Sequence, residues 1–158
     1  MVITFMAFVL RIFHLDRPKG LVFDEIYYVD GARDYLKQGV ELAKGAPEFV
    51  VHPPVGKWLI AVGIKLFGDH EFGWRIAVAV AGTLTVYLTA RIALKIFHEN
   101  KWATLAALLV TLDGMNLVMS RTALLDIFLI LFILLAVNAW LSGRYLRSEE
   151  HTSELQSH

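Results

Sequence analysis

Apolar residues in this chain fall into runs of very different length. After residue 71 three long runs carry almost no charge: Ile76 to Ala90 has none and lies between Arg75 and Arg91, Trp102 to Ser120 has only Asp113, and Ile127 to Gly143 has none. A helix crossing a bilayer needs about 20 predominantly apolar residues. With their flanks the three runs predict spans at about 72–94, 102–120 and 123–143. The link at Ser120, Arg121 and Thr122 is short, which makes the last two an antiparallel hairpin. Met1 to Val9 is also apolar, but Arg11 follows too soon for a complete span. No basic segment precedes it, as a signal peptide would require. It reads as a first span over about 1–13 whose start is missing.

The stretch between these runs, residues 14–71, is mixed and predicts an external loop with two short helices. From Asp24 to Gln38, Tyr28, Ala32 and Tyr35/Leu36 recur at helical spacing, with Asp30, Arg33, Asp34 and Lys37 on the remaining surface. Gly39 is a natural stop. Gly45 and Pro47 then break the chain, and Pro53-Pro54 opens the second helix, because proline suits a first turn. Val55, Trp58, Leu59, Val62 and Leu66 form its apolar stripe. Ending at Phe67, it is about 20 Å long, too short for a hydrocarbon core of about 30 Å. It is therefore expected to lie in the membrane interface, with Lys57 and Lys65 reaching for water.

The positive-inside rule puts the loop with Arg91, Lys95 and Lys101, and the Arg144 end, in the cytoplasm. Residues 14–71 and the Arg121 turn then share the outer face. Many Lys and Arg in the first loop weaken that assignment. The last twelve residues, 147–158 (RSEEHTSELQSH), are polar and without periodicity. They fit, codon by codon, a translated sequencing adapter, with a natural disordered tail as the alternative, and are set apart from a transmembrane part, 1–146.

Composition agrees with a membrane protein. Of 158 residues 56% are hydrophobic and the mean hydropathy is +0.54; soluble domains sit nearer 45–50% apolar. The absence of cysteine excludes disulfides, thiolate metal sites and a cysteine nucleophile. A formal charge of zero offers no basic field for nucleic acid.

Candidate chemistry centres on Phe23-Asp24-Glu25. Asp24 suits a helix N-cap, and acids favour a helix N-terminus. A carboxylate at a membrane edge also suits a general base on a hydroxyl. Arg75 and Arg121, each at a span end, fit interfacial anchoring or recognition of a lipid-linked phosphate by the guanidinium fork. Asp113 and Asp126 flank the hairpin turn; ionisable groups in spans are costly and often functional, though Asp126 could pair with Arg121 or Arg75. His52, before two prolines and without partners at ligand spacing, reads as a polar loop residue rather than a metal ligand.

Four strings, LVFDEIYYVDGARDYLKQGVE, FVVHPPVGKWLIAVGIKLFG, FGWRIAVAVAGTL and LDGMNLVMSRTALLDIFLILF, resemble consecutive blocks of the protein O-mannosyltransferase family, above all its actinobacterial members. They occur in the family's order and cover most of residues 8–143. The resemblance implies an all-α, multi-span membrane fold of the GT-C type, here its N-terminal portion, with two interfacial helices in the first external loop. It implies inverting transfer of mannose from a polyprenyl-phosphate-mannose donor to Ser or Thr hydroxyls of exported polypeptides, at the outer face of the plasma membrane. By that resemblance Asp24 is the base, Glu25 holds the acceptor peptide and Arg75 binds the carrier phosphate. Arg121, Asp126 and His52 line the substrate site. No metal or cofactor is implied, and the partners are the lipid donor, the acceptor polypeptide and membrane lipids, with the oligomeric state left open. The family's full chain has about eleven spans, so this portion alone is expected to be inactive. A sister GT-C enzyme moving arabinose or aminoarabinose between lipids is the nearest rival reading. A non-catalytic bundle or transporter is the other, and it would predict internal repeats and a polar midplane cavity.

Overall fold

The computed structural model describes residues 2–43, 46–47 and 52–156, with side chains described over 2–42 and 52–143. The expected break at Gly45, the side chain of Arg144 and the final residues 157–158 lie outside that description. Seven helices follow one another: α1 (Val2–Ile12), α2 (Glu25–Gln38), α3 (Val55–Phe67), α4 (Glu71–Phe97), α5 (Asn100–Leu112), α6 (Gly114–Met119) and α7 (Asp126–Gln156). Between α2 and α3 the strands β1 (Leu42–Ala43) and β2 (Ala46–Pro47) form a two-residue antiparallel pair, Leu42 opposite Pro47. Turns and loops make up the rest of the described residues, and helix dominates them, as the periodicity predicts.

Local signals explain most boundaries. Gly39 ends α2 in the left-handed conformation, at φ 74°, and its N–H donates to the Tyr35 carbonyl. A residue with a Cβ is strained there. Pro54 stands at the head of α3, where no backbone N–H is required. At Glu71–Phe97, α4 is about 40 Å long. It and the Asp126–Gly143 part of α7 are long and apolar enough to cross a membrane; α1 is a shorter apolar helix.

Three expectations are corrected. The span expected at 102–120 is two helices, because Asp113 leaves helical geometry and its side chain accepts the Asn116 N–H at 2.7 Å. This is an N-cap, so the lone acid of that run starts α6 rather than sitting charged within a span. Second, α5 and α7, expected to form a hairpin with each other, each pack chiefly on α4, while the short α6 between them touches α4, α5 and α7 alike. Third, the α7 backbone continues through Gln156, although residues 147–158 lack periodicity. No Gly or Pro follows Gly143, and extending an existing helix needs no new nucleus.

The main core joins four helices. Val29 and Ala32 of α2, Ile60 of α3, Val78 of α4 and Ile127 of α7 are all fully buried in it. Small residues let the backbones approach, as in membrane bundles generally. A Cβ added at Gly63 would strike the Gly73 carbonyl, which fixes the close crossing of α3 on α4. One added at Gly82 would strike the Ser120 Cβ and crowd Arg11 Nε. Gly82→Ala is therefore expected to push α4 from the α6–α7 turn, costing about 1–3 kcal/mol as overpacking does. Its thermal unfolding midpoint in detergent should fall; an unchanged midpoint would show that the turn yields freely.

The apolar stripe of α3 faces outward, with Trp58 49%, Val62 52% and Leu66 70% exposed. Lys65 is exposed as expected, but Lys57 is not. It is buried and paired with Glu41, its Nζ 2.6 Å from Oε2. Helix α2 is tied to the α3–α4 link by Arg33, whose guanidinium grips both Asp69 oxygens at 2.9–3.0 Å and stands 5.2 Å over the Trp74 ring. Trp74 Nε1 donates to the same carboxylate at 2.6 Å. The Arg33 hydrogen bonds hold the Asp69 carboxyl below its usual range, with Trp74 adding to the effect.

Candidate active site

The chain enters α2 through a tight turn. Phe23 adopts the left-handed conformation at φ 53°, uncommon for a bulky residue and informative about local demand. The turn is closed twice: the Glu25 N–H donates to the Val22 carbonyl at 3.1 Å, and the Val22 N–H donates to the Glu25 carboxylate at 2.9 Å. One consequence is that the two adjacent acids part company.

Glu25 turns inward and is fully buried. Besides Val22 N–H, its carboxylate accepts Arg75 Nε at 2.7 Å, Arg75 Nη2 at 2.8 Å and the Ala123 N–H at 2.7 Å. Arg75, also fully buried, donates further to the carbonyls of Leu15 at 3.3 Å, Pro18 at 2.8 Å and Gly20 at 2.9 Å. A guanidinium has five N–H donors, and all five are occupied here. This bidentate pair fastens α4, the loop after α1 and the approach to α7 into one knot. The resemblance gives Glu25 to the acceptor peptide and Arg75 to the carrier phosphate; here each directs its hydrogen bonds to groups of the chain itself. Both are sealed from solvent and mutually saturated.

Asp24 turns the other way. It heads α2 without a side-chain capping hydrogen bond, so the capping reading does not hold for its carboxylate. It lines a hollow of about 510 Å³ together with Tyr28, Asp30, Asp34, Glu41, His52 and Lys57. The His52 ring stands edge-on to Tyr28 with centroids 5.4 Å apart, which places this histidine in the wall beside the acid. Burial raises the Tyr28 phenol, and the charges of Asp24 and Asp126 push it further up. Both carboxylates therefore act on one phenol, and Asp126, exposed at the start of α7, belongs to the same neighbourhood.

Arg121 reaches α1 instead of Asp126. Its Nη1 donates to the carbonyls of Leu10 at 2.5 Å and Arg11 at 3.1 Å, and Nη2 to that of His14 at 3.1 Å. Cations suit the carbonyl end of a helix. Burial, and after it the charge of Arg75, lowers the Arg121 guanidinium. The pairing of Asp126 with Arg121 or Arg75 does not form. Asp24, Glu25, Arg75, Arg121, Asp126 and His52 nonetheless gather at one end of the bundle. At the opposite end Lys95 Nζ bonds the Asn138 carbonyl at 2.9 Å and the Ser142 hydroxyl at 2.5 Å.

Sequence reasoning missed three participants. Tyr28 looked like a helix-face aromatic, Lys57 a surface cation, and Arg11 the end of an apolar run. Arg11 is fully buried and donates to the Ala7 carbonyl at 3.1 Å and to Asn116 Oδ1 at 2.7 Å. Its partner lies 105 positions away, so no local pattern announces it. Among the described residues no group of three or more His, Asp or Glu side chains is placed to hold a metal ion.

Chemically, the site offers an uncapped carboxylate, a hollow beside it and a lysine in the same wall. Comparison with known proteins bears on what it does. Two family models, both described as dolichyl-phosphate-mannose-protein mannosyltransferase, match residues 1–71 and 51–152. The polyprenol-phosphate-mannose–protein mannosyltransferase of Mycolicibacterium smegmatis is 43% identical over 139 residues, covering 85% of this chain and 27% of the relative. That of Mycobacterium tuberculosis is 40% identical over 146 residues, 90% of this chain and 28% of the relative. Human protein O-mannosyl-transferase 1 is 30% identical over 167 residues, 95% of this chain and 21% of the relative. No solved structure matches. The chain spans about a quarter of the length of the mycobacterial relatives. With a matching model over more than half its length, and relatives at 40–43% identity over most of it, the chain belongs to the dolichyl-phosphate-mannose-protein mannosyltransferase family.

Proposed function

We propose that this chain is part of a multi-span GT-C membrane enzyme that transfers mannose from polyprenyl-phosphate-mannose to Ser or Thr hydroxyls of exported polypeptides. The observation that carries the reading is the division of labour between adjacent acids: Glu25 is saturated inside the knot, while Asp24 is left without a capping partner at an open hollow. A serine or threonine hydroxyl is a weak nucleophile until a base accepts its proton. Asp24 takes that proton as the hydroxyl oxygen bonds to the anomeric carbon. The bond from that carbon to the phosphate oxygen breaks, and its electron pair leaves with the lipid phosphate. Attack opposite the leaving group inverts the anomeric centre.

The leaving phosphate gains charge, and positioned donors stabilise it. Arg75 has no N–H left for this role. Arg121 uses only three of its five in contacts with α1, which makes it the better placed of the two. Helices α2 and α3 would lie in the outer interface of the plasma membrane, α3 with its apolar stripe to the lipid. The names of the relatives support donor and acceptor alike. Membranes carrying the full-length protein should move labelled mannose from polyprenyl-phosphate-mannose onto a threonine peptide. Transfer to a lipid acceptor with none to peptide would favour the sister enzymes instead.

A further inference from the structure

Lys57 is the one Lys or Arg among the described residues that line the Asp24 hollow. It faces four carboxylates in the same wall: Asp24, Asp30, Asp34 and Glu41. Two of these are engaged elsewhere. Asp30 bonds Arg33 Nη1 at 2.7 Å, and Asp34 accepts the Leu42 N–H at 3.2 Å. The Lys57–Glu41 pair is unlike a surface bridge. Its side chains are 7% and 4% exposed, with Nζ to Oε2 at 2.6 Å. The second Glu41 oxygen, Oε1, is buried without a hydrogen bond; burial raises the nearby Tyr35 phenol, and the Glu41 carboxylate raises it further. Gly31 makes room for the pair: a Cβ there would come 3.1 Å from Lys57 Cδ and 3.3 Å from Glu41 Cδ. A glycine on an otherwise ordinary helix face is thus pressed against both partners.

Burying an ion pair is a poor route to stability, since desolvation offsets the attraction. Its place in the wall of the hollow gives it another use. A base crowded by like charges loses its own charge at higher pH, and a nearby cation opposes this. We infer that Lys57, held by Glu41 and accommodated by Gly31, is a positioning residue whose charge offsets the acids crowded around the Asp24 base. The inference rests on the reading of Asp24 as the base. The groups that share the hollow with that base are Tyr28, Asp30 and Asp34 from α2, Glu41 before β1, and His52 and Lys57 at the head of α3, while Asp126 of α7 acts on Tyr28. Lys57 is the one Lys or Arg among them.

The test is the pH profile of kcat/KM for mannosyl transfer by the full-length enzyme. Lys57→Met should move the acid limb upward by on the order of one pH unit. Glu41→Gln, which leaves Lys57 unneutralised, should move it downward. Lys57→Arg should restore the wild-type limb, and Lys57→Met combined with Glu41→Met should bring it back toward wild type. A purely structural pair would lower the amount of active enzyme without shifting either limb, and so could not give opposite displacements. Should Lys57→Met fail to fold, the downward displacement expected of Glu41→Gln still decides the matter. Unshifted limbs in an enzyme that transfers mannose and is silenced by Asp24→Asn overturn this inference alone. Absence of transfer by the wild-type enzyme overturns the functional reading and this inference together.

Discussion

Asp24→Asn in the full-length protein is expected to lower mannosyl transfer by about 10²–10⁴-fold, the usual contribution of a positioned general base. The substitution keeps shape and removes the basic oxygen. Because the Asp24 side chain makes no capping hydrogen bond, α2 should keep its start and the thermal unfolding midpoint should stay within about a degree of wild type, as for surface changes away from structural features. Single-turnover transfer from labelled polyprenyl-phosphate-mannose to a threonine peptide measures the first quantity, and unfolding in detergent micelles the second. Loss of activity together with loss of fold would mean that Asp24 supports the structure. Near-normal transfer by a folded variant would remove the base from the mechanism and leave the non-catalytic reading ahead. The peptide KM should change little, because asparagine still fills the same wall of the hollow.

Much of the fold was legible where signals are local. Gly39 and Pro54 mark boundaries within one turn of the residues they affect. The uncharged runs behind α4 and α7 depend only on composition along a single helix. The break at Asp113 was also within reach, since Asp-Gly is a turn signal, but the apolar residues on both sides of it matched a continuous span. What stayed hidden depends on partners distant in sequence. Lys57 lies opposite the apolar stripe of α3, and on an isolated helix that position meets water. Here Gly31 and Glu41 cover it.

The acid pair shows the same limit in the site itself. Spacing identified Asp24 and Glu25 together as candidates, and the family resemblance gave both to the substrate. Consecutive residues entering a helix point about 100° apart, given 3.6 residues per turn. One therefore faces the bundle when the other faces out. Which one turns inward is set by Arg75, 50 positions from Glu25, and by the Ala123 N–H, 98 positions away. The left-handed Phe23 preceding them is a feature that no propensity scale assigns to phenylalanine.

The Glu25–Arg75 knot carries the second large effect. Arg75→Met should destabilise the protein by about 3–5 kcal/mol, the cost of leaving a buried charge without its partner. Glu25→Met should cost a similar amount, because the guanidinium would keep its three carbonyl acceptors and lose both carboxylate bonds. The double variant Glu25→Met/Arg75→Met removes both charges at once. Its cost should be well below the sum of the two, with a coupling of several kcal/mol where independent sites would add to within about 0.5 kcal/mol. Arg75→Lys should not rescue, since an ammonium has three donors and no planar fork for a bidentate carboxylate. The measurement is equilibrium unfolding of all four variants in the same detergent, alongside donor KM for those that fold. A phosphate-binding Arg75 predicts a different pattern: unchanged stability, a raised donor KM and no coupling to Glu25. Additive costs in the cycle would show that the two residues act separately, and would return Arg75 to the substrate.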